Sequence, residues 1–132
     1  MNRKQAREAA VKLVYEWDMG GDAWEDTITG LLEIEPGEEE LEYTLSVYNG
    51  VKEHCRLHDE KIQKYAHGWR VERMAKVDLA ILRVACEELS QKIVPSGVVI
   101  NEAVEISREY SIDKAGSFIN GVLGSISRDG DV

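Results

Sequence analysis

The stretch Val94-Pro95-Ser96-Gly97-Val98-Val99-Ile100-Asn101-Glu102-Ala103-Val104-Glu105 decides the fold, together with Phe118-Ile119-Asn120-Gly121-Val122-Leu123 nearer the C-terminus. Proline is tolerated at a helix start but not in a helix interior, so Pro95 marks where an amphipathic helix begins. Spacings of three and four then build its faces. Val99, Ala103 and Ile106 make one apolar row, and Ile100, Val104 and Ser107 make the next. The second segment opens another helix, with Ala115, Phe118, Val122 and Ile126 as its buried row. Asn101 and Asn120 each stand beside or within an apolar stripe, where an amide must be hydrogen-bonded or cost stability. Both are expected to be structural, tying helix ends or loops together.

Working outward, the helical period continues through the chain. Asn2 can cap a first helix that runs to Met19 and ends at Gly20-Gly21, with Ala6, Ala10, Leu13 and Trp17 as its apolar row. Asp22 can cap a short second helix carrying Trp24, Ile28, Leu31 and Leu32, and Pro36-Gly37 punctuates an acidic loop at 33–37. A long helix follows with Leu41, Leu45, Tyr48, Cys55, Ile62 and Tyr65 near one face, broken at Gly68. Glu38, Glu39 and Glu40 at its start suit the helix dipole. Trp69 opens a connector, and a helix from about Lys76 to Lys92 contributes Leu79, Leu82, Cys86 and Leu89. No segment alternates like a strand. The fold is expected to be all-α, one domain over residues 1–132 with about seven helices in two packed bundles, at about 1–67 and 68–132.

Composition narrows the function classes. A chain of 132 residues can bury about two thirds of its unfolded surface. The opening Met1-Asn2-Arg3-Lys4-Gln5 leads into no apolar run, and no long uncharged stretch exists, so neither a signal peptide nor a membrane span is expected. Cys55 and Cys86 lie in helical patterns rather than a disulfide framework, which fits a reduced cytoplasmic setting. The net charge of −9 argues against nucleic acid on its face. Its distribution does not: Arg3, Lys4, Arg7 and Lys12 face only Glu8 within the first fifteen residues. A basic first helix on an acidic body can bind RNA locally.

At about 100° per residue, the apolar row of the first helix points Tyr15 away from the core. Lys4 and Val11 lie close to that direction, with Arg3 and Arg7 on the flank. An outward aromatic among cations suits phosphate neutralisation and base stacking, the latter worth about 1–3 kcal/mol. It suits a protein–protein hot spot equally. The plain alternative has Tyr15 packing on a later helix.

Other candidate chemistry is sparse. His54 and His58 stand at i and i+4 beside Cys55, a spacing that can share one ion. Zinc sites need three or four protein ligands, and elsewhere only lone His67 and Cys86 remain, so no metal or cofactor is expected. Cys55 reads as packing. Glu102 and Glu105 have no nucleophile or base beside them and read as helix solvation. Arg83, inside an apolar stretch, suggests an internal salt bridge, with Glu105 as candidate partner. With no phosphate loop and no catalytic triad order, an enzyme is not expected.

Several of these segments, in order, resemble the NusB transcription antitermination family. They are the basic opening at 3–10 leading to Val14-Tyr15-Glu16-Trp17, Trp69, the stretch 77–85, Glu87-Glu88-Leu89, Val94-Pro95, the stretch 100–105, Tyr110-Ser111 and the stretch 118–123. The resemblance implies a non-catalytic bacterial RNA-binding adaptor. With NusE, which is also a small-subunit ribosomal protein, it would hold the single-stranded boxA element of ribosomal RNA leaders on the transcription elongation complex. Position by position, Arg3, Lys4 and Arg7 match the family's N-terminal RNA contact, and Tyr15 an exposed tyrosine at the RNA and partner face. Lys114, Ser117 and Phe118 match a loop and helix start that approach RNA, although Phe118 is core by pattern. Asp78 matches an acidic position facing NusE. The basic opening is sparse, and Ser117 stands where a lysine is common. Two other readings stay open. One is a protein-only helical adaptor or homodimer that buries the Tyr15 face. The other is a stand-alone relative of the NusB-like N-terminal module of ribosomal RNA cytosine methyltransferases.

Overall fold

The structure, a computed structural model, describes residues 2–21 and 38–129. Five α-helices and one 3-10 turn make up these residues: α1 (Arg3–Asp18), α2 (Glu38–Tyr65), the turn (Val71–Arg73), α3 (Lys76–Gln91), α4 (Ser96–Tyr110) and α5 (Ala115–Arg128). No strand occurs among them. The sequence pattern predicts about seven helices, and the described residues form five. The short helix expected after Asp22 and the loop at 33–37 lie outside the described residues. The connector after Trp69 forms a single 3-10 turn.

Local chemistry sets the ends of α1. The Asn2 side chain accepts from the Gln5 amide at 2.9 Å while the Gln5 side chain accepts from the Asn2 amide at 3.0 Å. This reciprocal cap satisfies two of the amides that a helix start leaves open. Gly20, at φ +93, takes the left-handed conformation that stops the helix.

At the centre runs α3. Every residue from Leu79 to Leu89 is buried, so the helix is enclosed on all sides rather than on one stripe. Its neighbours are α1, α2, α4 and α5. Three charged residues lie in this enclosed span, and each is matched from another helix. Arg7 Nε of α1 donates to both Glu88 oxygens at 3.0 Å. Arg83 makes a two-pronged pair with Asp59 of α2 at 2.8 and 2.7 Å, and its third nitrogen lies 3.3 Å from Asp18 of α1. Glu87 Oε1 meets His58 Nε2 at 2.8 Å and His54 Nδ1 at 3.1 Å on α2, while Oε2 accepts from Gln91 at 2.9 Å. A buried charge without a partner is strongly destabilising, so these pairs fix how α1 and α2 seat on α3. Glu105 is not the partner of Arg83; it pairs with Arg108 one turn along its own helix at 2.5 Å. The Arg83 side of α3 faces α1 and α2, not α4.

The apolar rows expected for the last two helices hold well. Val99, Ala103 and Ile106 are buried, as are Ala115, Val122 and Ile126, with Ile119 and Leu123 added and Phe118 half-buried. In α2 the deepest line differs from the expected one. It runs through Thr44, Val47, Tyr48, Val51, His58 and Ile62, while Leu41 and Leu45 are only half-buried. Two polar residues take interior positions because each finds a partner there. Thr44 donates to the Ala6 carbonyl at 3.1 Å, and His58 meets Glu87. Gly50 lets Glu87 lie against α2, since a Cβ there would collide with its carboxylate. No helix among the described residues is long and apolar enough to cross a membrane.

Candidate nucleic-acid interface

Tyr15 projects from α1 with 41% of its surface exposed, in the direction its helical position predicts. It lines a cleft of about 580 Å³ with Glu8, Val11, Lys12, Lys76, Val77 and Tyr110. Tyr110, at the end of α4, is nearly as exposed at 39%. The Lys12 ammonium stands 5.2 Å from the Tyr110 ring centroid, and the Tyr110 hydroxyl donates to Glu8 at 3.3 Å. Lys76 pairs loosely with Asp18 at 3.6 Å. Two accessible aromatic rings therefore flank two lysines, which can stack a flat ring and neutralise an anion together. Lys12, Lys76 and Tyr110 do not stand out as site residues in the sequence. Tyr110 is visible there as part of a family motif, but only the packing of the fold brings it to Lys12.

The other candidates on α1 lie elsewhere. Lys4 is exposed and has no partner among the described residues. Arg3 is half-buried, with its guanidinium 4.0 Å from the Tyr43 ring centroid and 3.2 Å from Glu40. Arg7, expected on the accessible flank, is only 5% exposed and held by Glu88. Burial opposes its charge, but Glu88 and Tyr43 outweigh this and raise its pKa above the ordinary arginine value. Val11, expected close to the direction of Tyr15, is also buried. The reason is common to both: α1 is packed by α2 on one side and α3 on the other, so its buried arc is wider than one row. Arg7, Val11 and Val14 form a second buried row beside Ala6, Ala10 and Leu13.

Asp78, Lys114 and Phe118 come together around a second cleft of about 300 Å³, with Trp69, Met74, Ala75, Ile112 and Ala115. The Asp78 carboxylate accepts from the Ser111 hydroxyl at 2.5 Å. The Phe118 and Trp69 ring centroids are 5.8 Å apart. Trp69 is 57% exposed and Ile112 72%. Gln63 holds the connector beneath Trp69, donating to the Trp69 carbonyl at 2.7 Å and accepting from the Val71 amide at 2.9 Å. Large accessible apolar groups, two aromatic rings among them, stand beside one acid and one lysine and can take a protein side chain or an unstacked base. The start of α3 separates the clefts, with Lys76 and Val77 in the first and Asp78 in the second.

Ser117 belongs to neither cleft. It lines a groove between α4 and α5 that also contains Asn101 and Asn120. Both asparagines are exposed and have no hydrogen-bond partner among the described residues, so they do not tie helix ends together as expected. The two helices meet through other positions, Val99, Ala103, Ile119 and Leu123 among them, which turns both amides toward solvent.

Fold and surface together define a small all-helical binding domain, with an aromatic and lysine cleft beside an apolar one. A profile of the NusB family matches residues 4–128, and the chain belongs to that family. It is 42% identical over 128 residues to the transcription antitermination protein NusB of Acetivibrio thermocellus, covering 96% of this chain and 88% of that protein. The structure of T. maritima NusB superposes with a TM-score of 0.83 at 29% identity, covering 98% of this chain and 92% of the other. A structure of antitermination factors NusB and NusE in complex with dsRNA gives 0.84 at 28% identity, with 96% of each chain covered.

Proposed function

We propose that the protein is a non-catalytic RNA-binding antitermination factor that, together with NusE, holds boxA RNA on the transcription elongation complex. The observation that carries this reading is the cleft where Tyr15 and Tyr110 flank Lys12 and Lys76. Arg3, Lys4, Tyr15, Lys114, Ser117 and Phe118 contact RNA on this reading, and Asp78 with Tyr15 contacts NusE. Arg7 contributes through the fold rather than by touching phosphate. The similarity to antitermination proteins, and to a NusB chain bound with NusE and dsRNA, supports RNA and NusE as partners. The target is single-stranded, because unstacked bases are free to stack on tyrosine.

Fluorescence anisotropy tests this with a boxA-type single strand, a scrambled strand and a duplex, at low and physiological salt, with and without NusE. Tyr15→Ala and Tyr110→Ala should each weaken boxA binding by about 1–3 kcal/mol. Lys4→Ala with Lys114→Ala should flatten the salt dependence, by about 0.7 in slope for every phosphate no longer neutralised. Absence of boxA preference in every arm would sink the reading. The exposed Trp69 and Ile112 favour a second one, a protein-only adaptor or homodimer, whose association would respond little to salt.

A further inference from the structure

We infer that His54, His58 and Glu87 form a binding site for a divalent transition-metal ion of the zinc type, bridging α2 and α3. The sequence offers only two neighbouring ligands, the i and i+4 histidines. The fold supplies the third from the next long helix, and the ligand atoms all lie within 4.8 Å of one another. One oxygen, Glu87 Oε1, already stands 2.8 Å from His58 Nε2 and 3.1 Å from His54 Nδ1. Zinc bonds of about 2.0–2.2 Å to nitrogen and oxygen place neighbouring tetrahedral ligands about 3.3–3.5 Å apart. Glu87 Oε1 therefore needs to draw back from the two nitrogens by only a few tenths of an ångström to about 0.7 Å to admit an ion, while the two nitrogens already lie within 4.8 Å of each other. Two imidazoles and one carboxylate with an open fourth position is a ligand set that zinc accepts.

The surroundings favour this use. His58 and Glu87 are buried, while His54 is exposed and leaves an entry path for an ion. α2 departs from helical dihedrals at His54, with φ −109 and ψ 15, so a ligand stands where the helix is already irregular. Gly50 leaves space for the carboxylate against α2, and Gln91 orients it through a 2.9 Å hydrogen bond to Oε2. A hydrogen bond that orients a metal ligand is worth about tenfold or more in metal affinity. A bound ion would clamp α2 onto α3 and stabilise the folded state by mass action.

Cobalt(II) titration of the full chain reads the site directly, since four-coordinate cobalt absorbs visible light and zinc displaces it. The expected result is one equivalent of cobalt with a four-coordinate spectrum, lost on adding zinc. Zinc should also raise the melting temperature of the wild type. His54→Ala, at an exposed position, should keep the helical circular dichroism yet lose both responses. Glu87→Gln, which keeps the side-chain size, should lose them too, and Gln91→Ala should weaken cobalt binding about tenfold. No visible spectrum in the wild type would overturn the proposal, as would equal binding by His54→Ala. A thiolate charge-transfer band would also overturn it, by assigning the ion to Cys55 instead.

Discussion

Replacing Arg7 with alanine separates the two roles that a basic residue on α1 can have. Arg7 Nε lies 3.0 Å from both Glu88 oxygens, and both side chains are almost wholly buried. Arg7→Ala leaves the Glu88 carboxylate buried without a cation, a loss of about 3–5 kcal/mol for comparable buried pairs. Small domains have only about 5–15 kcal/mol of stability in all. With a urea slope of about 2 kcal/mol/M, the midpoint should fall by about 1.5–2.5 M. Replacing both partners, Arg7→Met with Glu88→Leu, removes the charge imbalance and should restore most of the midpoint. Urea unfolding followed by circular dichroism measures this, with RNA affinity determined at a temperature where each variant is folded. The double variant should bind RNA nearly as well as the wild type. An unchanged Arg7→Ala midpoint with RNA affinity lost in both variants would refute the structural role and return Arg7 to the RNA surface.

Gly50→Ala should destabilise despite a helix-propensity gain of about 1 kcal/mol, because the new Cβ would collide with the Glu87 carboxylate and force it off its partners. Gly121→Ala, with nothing within 4 Å, should gain stability instead, and equal melting temperatures for the two variants would contradict this. Burial pushes the Cys86 thiol up to about 12 from an ordinary value of 9.0. The unfolded chain then releases its proton between those values while the folded one keeps it. Native stability should therefore fall as pH rises from about 9 toward 12 and be unaffected by Cys86 below that window. A thiol reagent at about pH 8 should leave Cys86 unmodified in the native protein and label it in urea, and rapid native labelling would show the burial to be wrong. On the acid side, burial works to raise the Glu87 pKa, but hydrogen bonds from His58, Gln91 and His54 outweigh it and hold the group below its ordinary value. Its contribution is present above about pH 4.5 and lost below. Glu87→Gln should flatten the acid limb of a stability profile, and an unchanged limb would assign acid sensitivity elsewhere.

What is legible in the sequence is local. The Asn2 cap, the stop at Gly20, the start after Pro95 and the apolar rows of α4 and α5 depend on neighbours within a few residues, and they lie where the pattern puts them. The outward aim of Tyr15 is legible for the same reason. The rotation of a helix between two neighbours is not. A single apolar row leaves Arg7 and Val11 accessible, whereas a helix wedged between α2 and α3 buries a second row. Partner choice fails likewise. Arg83 has candidate carboxylates on several helices, and only the direction α3 faces selects Asp59 and Asp18 over Glu105. Asn101 and Asn120 mark the limit of polarity arguments: an amide next to an apolar stripe can as well stand at its edge in water.

The Arg7–Glu88 pair joins residues 81 positions apart, and the Tyr110–Glu8 hydrogen bond spans 102. On the ribosome Arg7 emerges well before Glu88, so its counter-charge arrives only once α3 has been made. Until then α1 can pack on α2, through Thr44 and Glu40 among others, but not on α3. Nascent chains that stop short of Glu88 carry the basic segment without its docking site, and those ending before Tyr110 lack the second wall of the cleft. The cleft beside Tyr15 is therefore complete only after α3 and α4 have joined α1, which makes it a product of the finished fold rather than of any one helix.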